Sequence, residues 1–330
     1  MKTLARSVLT IGIAAALLAG CGGSSSQIGA KGVLPTGATK QSLNAQRIAN
    51  AVRRSGGSPG YSVTGPLVYV TNYTSNNLTV YHARAKNPAP IAVISDSLGA
   101  PSGDCLDSHG TLYVANQPAS SSGWVSEYAL GKTKASSVIT NGIKTPSFCA
   151  IDGNGNLWVT NIGGPNVTEY LYGSPKPHVV ITKGLAFPVG VAIDHSGNVF
   201  VANGWGAPQQ NVEVYAPGTK APSRTITDGI THPVGIGVDS SGTLYVTNAT
   251  TNSVEAYLAG QDHPYRTIIA GLDVPVAVVL NSKGWLYVAN FGNSNNVVEF
   301  PPGSITPSRR RISKSVYAPQ GVAYFPALLP

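Results

Sequence analysis

The chain has 330 residues, 42% of them hydrophobic and 11% charged, with 38 Gly and 24 Pro. That composition suits a large β-rich globular domain and argues against helical and disordered classes. The formal net charge is +8; without residues 1–20 it is 20 − 14 = +6, because Lys2 and Arg6 go and no acid does. That excess is modest.

The first element is a leader. MKTLARSVLTIGIAAALLAGC has a basic start, an apolar run and a small-residue end, the pattern of an export signal. The run from Ser7 to Gly20 falls short of the ~20 residues a helix needs to cross a bilayer. Its end, Leu18-Ala19-Gly20-Cys21, resembles the lipobox of bacterial lipoproteins. That resemblance implies cleavage before Cys21 and acylation of Cys21, and hence an exported chain anchored to the cell envelope, with no nucleic acid as partner. Gly22 after Cys21 is similar to outer-membrane sorting signals. An ordinary secretory signal with an accidental cysteine is the alternative.

Residues 21–60 read as a tether, rich in Gly, Ser and Ala and poor in aromatics. As a flexible coil it would reach roughly 35 Å. Leu43, Ile48 and Val52 could line one side of a short helix within it. Arg47, Arg53 and Arg54, with Arg309, Arg310, Arg311 and Lys314 far along the chain, are basic residues that could favour anionic lipid.

From residue 61 onward the chain repeats itself. Aromatic-Val-(Ala/Thr)-Asn occurs at 69–72, 113–116, 158–161, 200–203, 245–248 and 287–290, at spacings of 42 to 45 residues. Before each copy but the first stands a proline opening a short apolar run: Pro101, Pro146, Pro188, Pro233 and Pro275. A sixth, Pro319, has no downstream partner. Each unit holds four strand-like pieces, with Asp-x-x-Gly hairpin turns after the first. Four-stranded units of this length predict an all-β fold, a six-bladed β-propeller over residues 61–330. A C-terminal strand at 317–325 should complete the N-terminal blade and close the ring, removing open edges.

Over residues 65–325 the repeat Pro-x-Gly-(Val/Ile)-(Ala/Gly)-(Val/Ile)-Asp-x-x-Gly-x-(Leu/Val)-aromatic-Val resembles the NHL-repeat and streptogramin-lyase-like propellers. The resemblance implies a six-bladed ring and admits lyases, lactonases and plain binding modules. Metal-dependent enzymes of that architecture take ligands from His, Glu, Asn or Asp beside the start of the inner strands. Here those positions hold Ser, Val and Gln, leaving only Asp104 and His232 as a catalytic or metal-binding pair around one Ca or Zn.

The six repeated Asn residues read as structural, since a catalytic site on a ring is unique. Asp107, Asp152, Asp194 and Asp239 read as turn starters. Asp152 to Asn156 lacks the Glu that a calcium loop needs, and GGSPG at 56–60 lacks the strand and helix of a nucleophile elbow. Symmetry-breaking positions are more informative. After the prolines stand Gln320, Ser102 and Ser147 on three blades and Val on the others, so half of the axial mouth is polar. Asp104 replaces an aliphatic residue and should be solvated, hydrogen-bonded or functional. Tyr73, Trp124, Trp205 and Phe291 in Asn- and Gly-rich loops suit recognition of a glycan, peptide or protein. Cys105 and Cys149, on neighbouring inner strands at opposite parity, can either pair or stay as buried thiols. The reading is a monomeric binding or scaffolding module without cofactor, with a metal-dependent lyase or lactone hydrolase as the alternative.

Overall fold

A computed structural model describes residues 60–326 apart from 120, 121 and 205. Within it, 24 strands form six antiparallel sheets of four. The sheets follow one another around an axis as a six-bladed β-propeller. Blade II spans 101–139, blade III 146–181, blade IV 188–226, blade V 233–268 and blade VI 275–312. Blade I combines residues 67–94 with the last strand, Pro319–Phe325, which lies innermost and pairs along Leu67–Asn72. Each inner strand packs on the next, including that of blade VI on Pro319–Phe325, so the ring is closed. The closing strand begins at Pro319, two residues later than residue 317. Ala318 has a φ of +47°, and the N–H groups of Tyr317 and Ala318 are held by the side chains of Asn72 and Asn295. Residues 1–59, with the leader, the tether and Cys21 expected to be acylated, lie outside the described residues. A chain from Gly22 still carries every strand of the ring.

Each inner strand reads Pro-x-Gly in four of six copies, and the glycine is explained by crowding at the axis. A Cβ on Gly235 would lie 2.6 Å from the Val276 carbonyl of the next blade. Side chains of the second and third strands fill the space between blades, with Tyr69, Tyr81, Tyr128, Tyr170, Tyr215 and Tyr257 fully buried. A blade alone would leave both faces of its sheet wet, so burial comes only from neighbours.

The ring has two unlike faces. On the proline face the inner strands begin, the second strands end at the repeated Asn, and the loops to the third strands emerge. On the turn face the inner strands of blades II to V end in Asp-x-x-Gly hairpins and that of blade VI in Asn281-Ser282-Lys283-Gly284, and the outer loops join third to fourth strands. Residues 60–66 run along the turn face, where the Tyr61 N–H donates to the Gly131 carbonyl at 2.8 Å.

Candidate functional site

The axis holds a cavity of about 130 Å³. It is lined by the third to fifth residues after each proline, the half of the channel nearer the turn face. Its walls are mostly aliphatic: Val191, Ile193, Ile236, Val278, Leu280 and Val322 among others. Asp104, Cys105 and Cys149 also contribute. Cys105 and Cys149 form a disulfide that ties the inner strands of blades II and III, with a Cα–Cα distance of 5.7 Å.

Asp104 is 7% exposed, and neither carboxyl oxygen has a hydrogen-bond partner among the described residues. One oxygen presses against Gly321 of the closing strand, where a Cβ would not fit. Burial holds the carboxyl well above its usual range, its own backbone N–H acting in the opposite direction. The carboxyl is thus wedged between the inner strands of blades I and II, at the wall of the axial cavity. An ionised carboxylate there would cost several kcal/mol.

Ser102 and Ser147 are buried at the proline-face end of their strands, at 4% and 3% exposure, and the Ser102 carbonyl accepts the Thr71 hydroxyl at 2.5 Å. Gln320 is half-buried. Tyr73, Trp124 and Phe291, all half-buried, stand on the same face. By blade order Phe291, Tyr73, Gln320, Trp124, Ser102 and Ser147 fall in one sector, blades VI, I, II and III. Trp205 lies outside the described residues. The Trp124 indole N–H is already engaged, donating to the Ser97 carbonyl at 2.9 Å and Ser126 Oγ at 3.0 Å. Its ring edge packs against Gly99.

His232 sits on the proline face ahead of blade V, with a φ of +55°. Its Nδ1 is 3.0 Å from Thr250 Oγ1, and burial lowers its pKa. Blades II and V are three steps apart, so Asp104 and His232 lie on opposite sides of the ring. The axial cavity is lined by the first and not by the second. Among the described residues no group of three or more His, Cys, Asp or Glu is placed to hold a metal ion.

The repeated Asn residues form a latch rather than a local turn. Asn116, Asn161, Asn203, Asn248 and Asn290 each accept a backbone N–H from the segment seventeen residues upstream that leads into their own blade. Their amides donate to the Asn or Ser that opens the third strand or, in blade II, to Ser126 two residues into it. A second repeat was hidden within the third strands. The hydroxyls of Tyr81, Tyr128, Tyr170, Tyr215 and Tyr257 each donate to a backbone carbonyl of the same lead-in segment. Blade VI has Phe300 instead. These latches stiffen the proline face without occupying its loops.

Blade VI also buries Glu299, fully inaccessible, with no hydrogen-bond partner for either oxygen among the described residues. Burial raises its pKa to about 7, with Arg310 opposing. No residue of this kind was singled out by the repeat, because the corresponding acids of blades II and III, Glu127 and Glu169, sit in equivalent strand positions.

No family model matches the chain, and no curated protein matches it. Solved structures do. A chain of a nidogen–laminin complex is 17% identical with a TM-score of 0.67, covering 79% of this chain and 98% of that one. A protein of unknown function from Bacteroides caccae is 11% identical with a TM-score of 0.60, covering 79% and 99%. Hydrazine synthase of Kuenenia stuttgartiensis is 15% identical with a TM-score of 0.54, covering 70% and 72%. At these identities the likeness shows the fold alone: the chain is a six-bladed β-propeller.

Proposed function

We propose that the protein is an exported, lipid-anchored propeller of the NHL-repeat type that binds a protein, peptide or glycan on its proline face. The observation that carries this reading is the sector formed by Phe291, Tyr73 and Trp124. Three rings from three adjacent blades share one latched face, and the six loops after the second strands carry no charged residue. Rings and amides on a rigid platform stack and hydrogen-bond at low ordering cost. The likeness to a chain of a nidogen–laminin complex supports a protein partner, and the Cys105–Cys149 disulfide supports an oxidising compartment. The lyase or lactone-hydrolase alternative needs Asp104 and His232 together, and their placement across the ring does not favour it.

Glycan and peptide arrays probed with the chain from Gly22 test the reading. Binding should fall at least tenfold in Phe291→Ala and Tyr73→Ala and stay unchanged in Val138→Ala on an outer strand. Equal binding by all three would refute the assignment of the face.

A further inference from the structure

Charge divides between the two faces far more sharply than the net charge suggests. The six outer loops of the turn face, residues 83–91, 129–136, 171–176, 216–223, 258–265 and 301–310, carry Arg84, Lys86, Lys132, Lys134, Lys176, Lys220, Arg309 and Arg310, against Asp262 alone, so 8 − 1 = +7. All eight cations are exposed, and none forms an ion pair among the described residues. Asp262 is held by Arg224 at 2.6 Å. The hairpin turns nearer the axis hold Asp107, Asp152, Asp194 and Asp239 against Lys283, or −3. Those four acids are turned inward, each accepting two backbone N–H groups of its own turn. The proline face balances Lys144, Lys183 and Lys314 against Asp96, Asp228 and Asp273, for zero. Lys314 thus lies on the face opposite to Arg309 and Arg310.

The cationic rim also carries exposed apolar side chains. Leu171 is 43% exposed, Tyr172 57%, Leu258 49%, Tyr265 49% and Ile305 53%, all in the same outer loops. Cations interleaved with isolated aliphatic and aromatic groups match the interface of an anionic bilayer, where phosphates take the charges and the headgroup region takes the rings. The chain enters the ring here too, since Gly60 bridges to Lys132.

We propose that the turn face docks onto an anionic membrane surface through the outer-loop rim, leaving the proline face directed away from the bilayer. The docking adds a second, electrostatic attachment to the lipid anchor of the proposed function. It gives a tethered ring an orientation that a flexible linker alone does not impose.

The test is sedimentation of the chain from Gly22 with phosphatidylcholine vesicles, with and without phosphatidylglycerol. That chain lacks Cys21, so failure here overturns the docking and leaves acylation to be decided by the mass of the mature N-terminus. Binding should need phosphatidylglycerol and weaken with salt. Each rim cation should contribute about fivefold, so Lys132→Glu with Lys134→Glu should cost at least twenty-five-fold and Leu171→Ser with Ile305→Ser a smaller factor. Lys144→Glu with Lys183→Glu, matched in charge on the other face, should change little. Equal loss in the two charge-reversed proteins would show generic cation attraction and overturn the proposal, as would no binding to phosphatidylglycerol vesicles. Capture of an acidic protein by the rim with no vesicle binding would overturn it as well.

Discussion

Asn203 holds Ala186: its Oδ1 accepts the Ala186 backbone N–H at 3.1 Å across seventeen residues, while its Nδ2 donates to the Gly184 carbonyl at 2.9 Å and Asn211 Oδ1 at 2.8 Å. One side chain thus ties the lead-in of blade IV to its second and third strands. Asn203→Ala leaves buried donors and acceptors unmatched and should cost about 2 kcal/mol. Urea unfolding measures it, and a loss under about 0.5 kcal/mol would remove the latch from the account.

The tyrosine latch predicts a reciprocal pair. Tyr257→Phe deletes the hydrogen bond to the Asp228 carbonyl, 2.7 Å away, and should destabilise by about 1 kcal/mol. Phe300→Tyr should gain the corresponding carbonyl, that of Ala270 when Gly271 is aligned with Gly229, and stabilise by up to about 1 kcal/mol. Thermal unfolding of both proteins decides it; a destabilised Phe300→Tyr would show that blade VI closes differently.

The disulfide spans 44 residues and clips two neighbouring inner strands. Reduction should lower stability by about 2–4 kcal/mol, the range for loops of this size. Cys149→Val, which installs the residue found at Val191, should be as labile as the reduced protein and indifferent to reductant. A melting temperature that reductant leaves unchanged in the unsubstituted protein would contradict the bond.

Glu299 makes stability depend on pH in an unusual direction. Its folded pKa is raised from 4.5 to about 7, so the folded chain binds the proton more tightly than the unfolded chain. Its contribution is complete below pH 4.5 and lost as pH rises through about 7. Asp104 acts in the same direction. Glu299→Gln should flatten the fall in stability across that window, raising stability at alkaline pH by about 2 kcal/mol relative to the unsubstituted protein. Parallel pH profiles of the two proteins would show that Glu299 ionises freely.

The ring was legible because a blade cannot bury its faces alone, so its strand pattern must recur, and Pro319 without a partner located the closure. The repeated Asn was legible as structural, though its partner lies seventeen residues away where no local pattern points. Tyr81 and its four counterparts were not, since an aromatic ending a strand reads as core whether or not its hydroxyl is engaged. The sector of Phe291, Tyr73 and Trp124 followed from the closure, which sets blade VI beside blade I. That Asp104 and His232 sit across the ring follows from the same order. The charge of the turn face was hidden because its loops alternate along the chain with those of the proline face, and only the register sorts them.

In the proposed function this ring binds rather than turns over a substrate. The most direct measurement is lactone hydrolysis, with added calcium and with added zinc, by the chain from Gly22, by Asp104→Asn and by His232→Ala, each shown to be folded. Any turnover above background should be the same in all three. Turnover abolished by Asp104→Asn in a folded protein would contradict the binding reading and make the axial cavity a catalytic centre, and turnover abolished by His232→Ala would contradict it and place such a centre on the proline face ahead of blade V.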